Sequence, residues 1–517
     1  MIKKPASIRT RKGAQSGIVR SVTAPVGGLN ARDSIADMPK TDAIILTNWW
    51  PLPGTVNQRS GVIAYKTGFS SAIRTLLPYT STTVSKLYAA TVSGIFDASI
   101  AGAVGANLLA ITEGTLNKII FTVAGGSYLI AVSGVDKMIQ YNGAIWQFID
   151  NLSVPAISGL ATTELVYVSA YKRRLWFIQK NSMSAWYLPV ASVGGALAAF
   201  PVGELFSRGG KLLAMVTWTH DGGRGPDDYQ VFITTEGEVA VYTGTDPATD
   251  FALVGVYYIG KPVNARSIVE YGGDVLILTS LGLLPLSRAL QEAGFKGDSA
   301  VSYKIDSLLS SYVRSYGSNT DWDSVIFSEE NMLLLNIPVS SQGTSYQLAM
   351  NTVTKAWAMF DGWNAFCWAV WDKGLYFGGS TSVSKAWSGY SDYGANITST
   401  AKTAYNYFQS PALKHFKLVR PIIQTNGNVT VSLGIDTDFD TTTEYSSATT
   451  ALIGTNLWGT GLWSTAVWGA DLTTLRDWRS VENKEGFAAA LRLRVASKDV
   501  NVIWNSTDFL YQRGGVL

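Results

Sequence analysis

The sequence predicts an all-β protein: a β-propeller of six to seven blades, an additional C-terminal β-sandwich-like domain and an extended N-terminal arm. Three observations predict it. Fifty glycines, 12% aromatic residues and abundant Thr, Ser and Val favour strands and tight turns over helices. Amphipathic helical stretches are nearly absent, the best candidate being residues 301–315, where Ile305, Leu308, Leu309 and Val313 recur at helical spacing. Finally, one strand–turn–strand unit recurs along the chain.

Each copy of that unit has an apolar strand, a small or polar turn, and a second strand with aliphatic or aromatic residues. The copies begin near Lys86, Tyr128, Leu175, Tyr229, Asp274, Met332 and Leu375. Their spacing of about 40 to 60 residues is what a four-stranded propeller blade needs. Runs such as Leu175-Trp176-Phe177-Ile178 are apolar without alternation, as expected for strands buried on both faces between neighbouring blades. The Ser-Gly and Glu-Gly turns suit hairpins, because glycine accepts positive φ. A β-sandwich array would show turn signals about every 8 to 12 residues, so the propeller is favoured.

From about Asn396 the rhythm changes. Residues 429–433 and 491–495 alternate cleanly, as half-exposed strands of a separate domain do. The expected division is a basic arm over 1–20, an N-terminal β segment over 21–75, the propeller over 76–395 and a C-terminal β domain over 396–517. Between the alternating strands lie Trp458, Trp463 and Trp468, set among glycines. Spacing of five makes no single stripe on a strand or a helix, so these tryptophans are expected in a loop that packs on another subunit.

Charged residues make up only 15% of the 517, hydrophobic residues 47%, and the mean hydropathy is +0.13. The uncharged run 181–203 is long enough to span but is broken by Pro189, Gly194, Gly195 and Pro201, so a membrane span is not expected. Burial against neighbouring subunits accounts better for the apolar composition. The net charge of +3 does not indicate a strongly basic nucleic-acid binder. The charge is uneven, however. Lys3, Lys4, Arg9, Arg11, Lys12 and Arg20 occur in the first 20 residues without an acid. Arg9, Arg11, Lys12 and Arg20 are therefore candidate contacts of a flexible arm with an acidic partner or DNA phosphate. The same stretch lacks the apolar core of a signal peptide.

Chemistry is sparse. Cys367 is the one cysteine and His220 and His415 the two histidines. Neither a cysteine cluster nor a histidine-rich metal site can be built from them. His220 lies in a Thr-His-Asp-Gly-Gly-Arg-Gly-Pro stretch read as a loop, with no nucleophile elbow nearby. Residues 436–440 begin like a calcium loop, but Thr441 and Ser447 stand where glycine and glutamate are required, so a polar hairpin tip is expected. No catalytic residue, cofactor site or metal ligand is assigned, and an enzyme is not expected.

Residues 27–34 (Gly-Gly-Leu-Asn-Ala-Arg-Asp-Ser), 48–51 (Asn-Trp-Trp-Pro) and 59–61 (Arg-Ser-Gly) resemble the N-terminal signature of podovirus tail nozzle proteins. These are also called packaged-DNA stabilisation or tubular tail proteins. Residues 387–397, with Lys414, Val419-Arg420-Pro421 and the closing Tyr511-Gln512-Arg513-Gly514-Gly515, are similar again. The resemblance implies a propeller subunit of a homohexameric ring in the virion tail, assembled in the host cytoplasm. The ring would lie below the portal and adaptor, meet tail fibres or spikes, and continue the channel through which double-stranded DNA is ejected. A carbohydrate-binding or carbohydrate-cleaving propeller at a tail tip is the alternative. A host outer-surface β protein is a more distant one.

Overall fold

The computed structural model describes residues 17–221, 226–291, 300–340, 343–440, 445, 449–451 and 472–514. Seven antiparallel meanders form the propeller. Blade 1 comprises Thr75–Thr80, Ser85–Thr91 and Gly94–Asp97. Blade 2 runs from Asn117–Val123 through Gly126–Val132 and Met138–Tyr141 to Trp146–Ile149. Blade 3 comprises Leu165–Tyr171, Arg174–Gln179, Ser184–Tyr187 and Ala198–Pro201. Blade 4 comprises Leu212–Asp221, Pro226–Thr234, Glu238–Thr243 and Ala252–Tyr258. Blade 5 has Ile268–Tyr271, Asp274–Thr279 and Gly282–Pro285, and the helix Asp306–Tyr316 follows it. Blade 6 comprises Asp323–Phe327, Met332–Pro338, Ser345–Asn351 and Trp357–Phe360. Blade 7 takes Cys367–Trp371, Gly374–Gly378 and Ser382–Ala386 from this end of the chain. Its outer strand, Val62–Thr67, comes from the N-terminal region and pairs antiparallel with Ser382–Ala386. First strands adjoin one another around the ring, and blade 7 meets blade 1 to close it.

All seven sequence repeats coincide with the second and third strands of a blade. The reason is visible in blade 3. Leu175 and Phe177 pack into the seam with blade 2, whereas Trp176 and Ile178 pack into the seam with blade 4. A strand whose two faces both meet apolar neighbours loses its alternation. Blade 4 repeats the pattern, with Phe232 facing blade 3 while Val231 and Ile233 face blade 5. Hairpin chemistry recurs as well. Thr91 and Thr279, each at the end of a second strand, donate their hydroxyls to the carbonyls of Gly94 and Gly282. Gly237 has φ of 85°, and a Cβ there would lie 2.2 Å from the Gly260 carbonyl oxygen.

The second domain is a β-sandwich built from both ends of the chain. One sheet orders Asp42–Thr47, Ile397–Thr403, Ala489–Ser497 and Val429–Thr437, and joins blade 6 where Thr47 pairs with Met359. The other centres on the long strands Lys414–Thr425 and Val502–Arg513, flanked by Thr55–Gln58, Trp49–Leu52 and Ile18–Thr23. Val431, Leu433, Leu493 and Val495 from the first sheet share a core with Val419, Ile423, Trp504 and Phe509 from the second.

Two expectations are corrected by this topology. The segment expected over 21–75 is not one unit: its early strands belong to the sandwich and Val62–Thr67 belongs to the propeller. His220 stands in a strand rather than a loop, opposite Asp227 in the blade 4 hairpin. Among the described residues no helix is long and apolar enough to cross a membrane.

Candidate functional site: the propeller axis and the joint

The described part of the chain offers two convergent polar centres, one on the propeller axis and one where propeller and sandwich meet. The axial centre draws residues from six blades or the segments leading into them. Arg266 sits in a 3-10 turn, Ala265–Ser267, just before blade 5, fixed by the Asn264 side chain accepting from the Ser267 N–H. Its Nη2 reaches across to the blade 1 side and donates to the Arg74 carbonyl and Thr75 Oγ1, both at 2.6 Å. Lys118, from the first strand of blade 2, donates from Nζ to the Leu76 carbonyl. Asp323, which opens blade 6, accepts from the Trp368 N–H at 2.8 Å and from its neighbour Ser324 at 2.9 Å. Arg74 makes a two-oxygen contact with Asp321 at 3.0 Å and lies over the Phe366 ring.

Electrostatics confirm that these groups sense one another. Burial, reinforced by Arg266 and opposed by Asp323, pulls Lys118 down to about 8. Burial pushes the Cys367 thiol up to about 11, and Arg266 and Lys118 counter it only partly. Asp323 is raised by burial despite the two cations beside it. Glu270 is raised for the same reason, and its charge in turn adds to the burial that raises Tyr167 of blade 3. Arg266 and its partners therefore join polar groups from opposite sides of the ring near its axis.

The joint is organised by Arg59, whose side chain is 0% exposed. Its five N–H donors are all engaged. Nε donates to Asn48 Oδ1 at 2.8 Å, and Nη1 donates to the Ser60 carbonyl and Asp392 Oδ1, both at 2.9 Å. Nη2 donates to the Asp361 carbonyl at 2.8 Å and Asp392 Oδ2 at 2.6 Å. The guanidinium stacks 4.5 Å above the Trp363 ring. Asn48 adopts φ of 58° and donates to the Thr398 carbonyl and to the Asp361 side chain. Gly61 has to be glycine, since a Cβ would lie 2.1 Å from the Ser391 carbonyl oxygen. Nearby, Lys304 joins Asp42 at 3.0 Å and donates to the Gly27 carbonyl, while Asn30 donates to Asp42.

The residues singled out from the sequence are distributed differently. Arg9, Arg11, Lys12, Trp458, Trp463 and Trp468 lie outside the described residues. Arg20 is exposed in the strand Ile18–Thr23, opposite Phe509, so the end of the expected arm is part of the sandwich. Asp436 is fully buried and neutralised by Arg492 at 2.5 Å and Lys402 at 2.7 Å, so its charge is committed to the sandwich core. Asp438 accepts from the backbone N–H groups of Phe487 and Ala488. Among the described residues no group of three or more His, Cys, Asp or Glu side chains could hold a metal ion. His415 lies on the Lys414–Thr425 strand with Nδ1 2.8 Å from Glu485. Sequence reasoning missed both polar centres. The signals available for the joint were the separate segments 48–51, 59–61 and 387–397, which gave no sign that Arg59 meets Asp361 and Asp392 about 300 residues on.

No family model matches the chain, and no curated protein matches it. Solved structures similar to it include an exo-β-1,3-galactanase from Phanerochaete chrysosporium bound to galactose. That chain is 10% identical with a TM-score of 0.25, over 75% of this chain and 95% of that one. Another is BBS1N in complex with ARL6DN, at 16% identity and a TM-score of 0.27, over 44% and 72%. Scores this low decide neither family nor chemistry.

Proposed function

We propose that this chain is a structural subunit of a short-tailed phage tail. Copies would form a ring, six-fold by resemblance, below the portal and adaptor, prolonging the channel through which the genome is retained and then ejected. The observation that carries this reading is the convergence of the resembling segments. Asn48, Arg59, Gly61, Ser391 and Asp392 all come from them, and they build one buried joint that holds propeller and sandwich in a fixed relation. A ring subunit needs such a joint, because an error in its internal angle is repeated at every interface.

Two further features support the reading. The outer strand of blade 4, Ala252–Tyr258, leaves Leu253, Val254, Val256 and Tyr258 exposed on an unpaired edge, a surface suited to cover by a neighbour. The polar side chains that meet near the propeller axis also favour a DNA path outside the propeller. A duplex whose major groove alone is about 12 Å wide would pass between subunits rather than through one. The net charge of +3 suits a conduit, since phosphate contacts would otherwise hold the DNA. Binding to DNA would be non-specific, and tail fibres or spikes would attach at the rim.

Native mass spectrometry of the full chain mixed with its adaptor tests this. A closed ring on the adaptor is the expected result. Monomers that never assemble, together with specific binding or cleavage of glycans, would replace the proposal with the carbohydrate reading.

A further inference from the structure

We infer that the propeller carries a binding site for a phosphate monoester with a flat, apolar body, the chemistry of a nucleoside monophosphate, at one mouth of its axis. A cavity of about 510 Å³ opens there between blades 2, 3 and 4 and the segments leading into blades 5 and 6. That volume lies within the range of ordinary small-molecule sites, about 300–1,000 Å³. Its lining contains Lys180, Lys211 and Arg266, and no carboxylate.

Among the described residues no carboxylate pairs with Lys180 or Lys211, and Arg266 shares the buried Asp323 with Lys118. Lys180 Nζ donates to the Gly134 carbonyl at 2.8 Å, and Lys211 Nζ donates to Asn181 Oδ1 at 3.0 Å. Arg266 uses Nη2 on neutral oxygens, while its Nη1 is buried without a hydrogen-bond partner. An open guanidinium donor costs free energy, and because this nitrogen has almost no accessible surface an anion would recover it only after a small shift of the side chains around Arg266. Behind this lining, Lys118 adds positive charge, Asp323 offsets part of the charge of Arg266 and Lys118 together, and the Arg74–Asp321 pair is neutral. Glu270 lies beside Tyr167, and Glu236, paired with Lys261, lies against Gly210 next to Lys211.

The remaining lining selects the body of the ligand. Leu116, Val166, Leu212 and Val263 provide apolar wall, Tyr167 an aromatic ring, and Asn264 an amide. Inorganic phosphate would leave that wall uncovered, and an uncharged nucleoside would leave the cations unanswered. The inference rests on this cavity alone and is independent of the tail reading. The same phosphate chemistry could arrive as a free mononucleotide or as the 5′ end of a DNA strand.

Calorimetric titration of the full chain with 2′-deoxyadenosine 5′-monophosphate, deoxyadenosine and inorganic phosphate tests it. The monophosphate should bind best, more weakly as salt is raised, and Lys211→Gln should weaken it about tenfold or more. Arg266→Gln should abolish binding. Because Arg266 also braces blade 1, Lys180→Gln serves as the second variant, with a loss similar to that of Lys211→Gln. Displacement of the monophosphate by a 5′-phosphorylated oligonucleotide, but not by its unphosphorylated form, would support the site and assign a strand end. Failure of both to displace it would support a free nucleotide. No binding of the monophosphate at millimolar concentration, or binding unchanged in both lysine variants, would overturn the site. Equal affinity for phosphate and the monophosphate would overturn the flat body.

Discussion

Removing the carboxylate that faces Arg59 should be among the most damaging single changes in the molecule. Asp392 supplies two charge-assisted bonds, at 2.9 and 2.6 Å, to a guanidinium with no exposed surface. Asp392→Ala leaves that cation buried with two N–H donors unanswered, at a cost of about 3–5 kcal/mol. Asp392→Asn keeps the shape and one acceptor, and should cost less, about 1–3 kcal/mol. The informative variant is the double one. Arg59→Met with Asp392→Leu removes both charges, and should recover much of the loss, because the stranded cation rather than the missing attraction dominates. Asn48 Oδ1 and the Asp361 carbonyl still lose a donor, so recovery should be incomplete. Urea midpoints at constant m-value for the parent, both single variants and the double variant close the cycle. An Asp392→Ala cost below about 1 kcal/mol, the range of an exposed pair, would refute the account of the joint.

Three further outcomes are expected. Lys118 titrates at about 8 against 10.5 for the free side chain, so between these values the unfolded chain holds a proton that the folded chain has lost. Stability should rise with pH across that window by up to about 3 kcal/mol from this group, and be flat below it. Cys367, pushed up to about 11, opposes the rise above pH 9, so the difference between the parent and Lys118→Met in urea titrations is what isolates Lys118. The Cys367 thiol should stay unlabelled by an aromatic disulfide at neutral pH and react fully in urea, and prompt labelling of native protein would contradict the closed seam between blades 7 and 1. Ala64→Pro, in the strand Val62–Thr67 of blade 7, should cost about 1–3 kcal/mol by thermal melting, while leaving the far-UV spectrum of what remains folded all-β.

What could be read from the sequence was what leaves a local mark. Second strands such as Leu175–Ile178 are buried on both faces, so their apolar runs announced the blades one by one. The alternation at 429–433 announced a half-buried strand and has that form, whereas at 491–495 Arg492 is buried against Asp436 and only Arg494 is exposed. Val62–Thr67 left no such mark: Ile63 and Ala64 are exposed, and its partner is the strand Ser382–Ala386. Arg20 read as part of a basic arm because Ile18 and Val22 are only half-buried and give too weak an alternation to signal a strand. The axial centre was invisible for a different reason. Thr75, Lys118, Arg266, Asp323 and Cys367 are single polar or reactive residues in separate repeats, and only ring closure gathers them.

The pairing of both chain ends has a consequence for synthesis on the ribosome. Ile18 meets Tyr511, Thr47 meets Thr400, and Val62 meets Ala386. The first strands to emerge are thus among the last to be matched, and their apolar faces wait while the repeats are translated. Such long-range pairing is slow and exposes the nascent chain to misassociation. The blade ring cannot close before Ala386 has been made, nor the sandwich before Tyr511. A truncated product would lack the strand that receives Ile18–Thr23 and could not complete the sandwich.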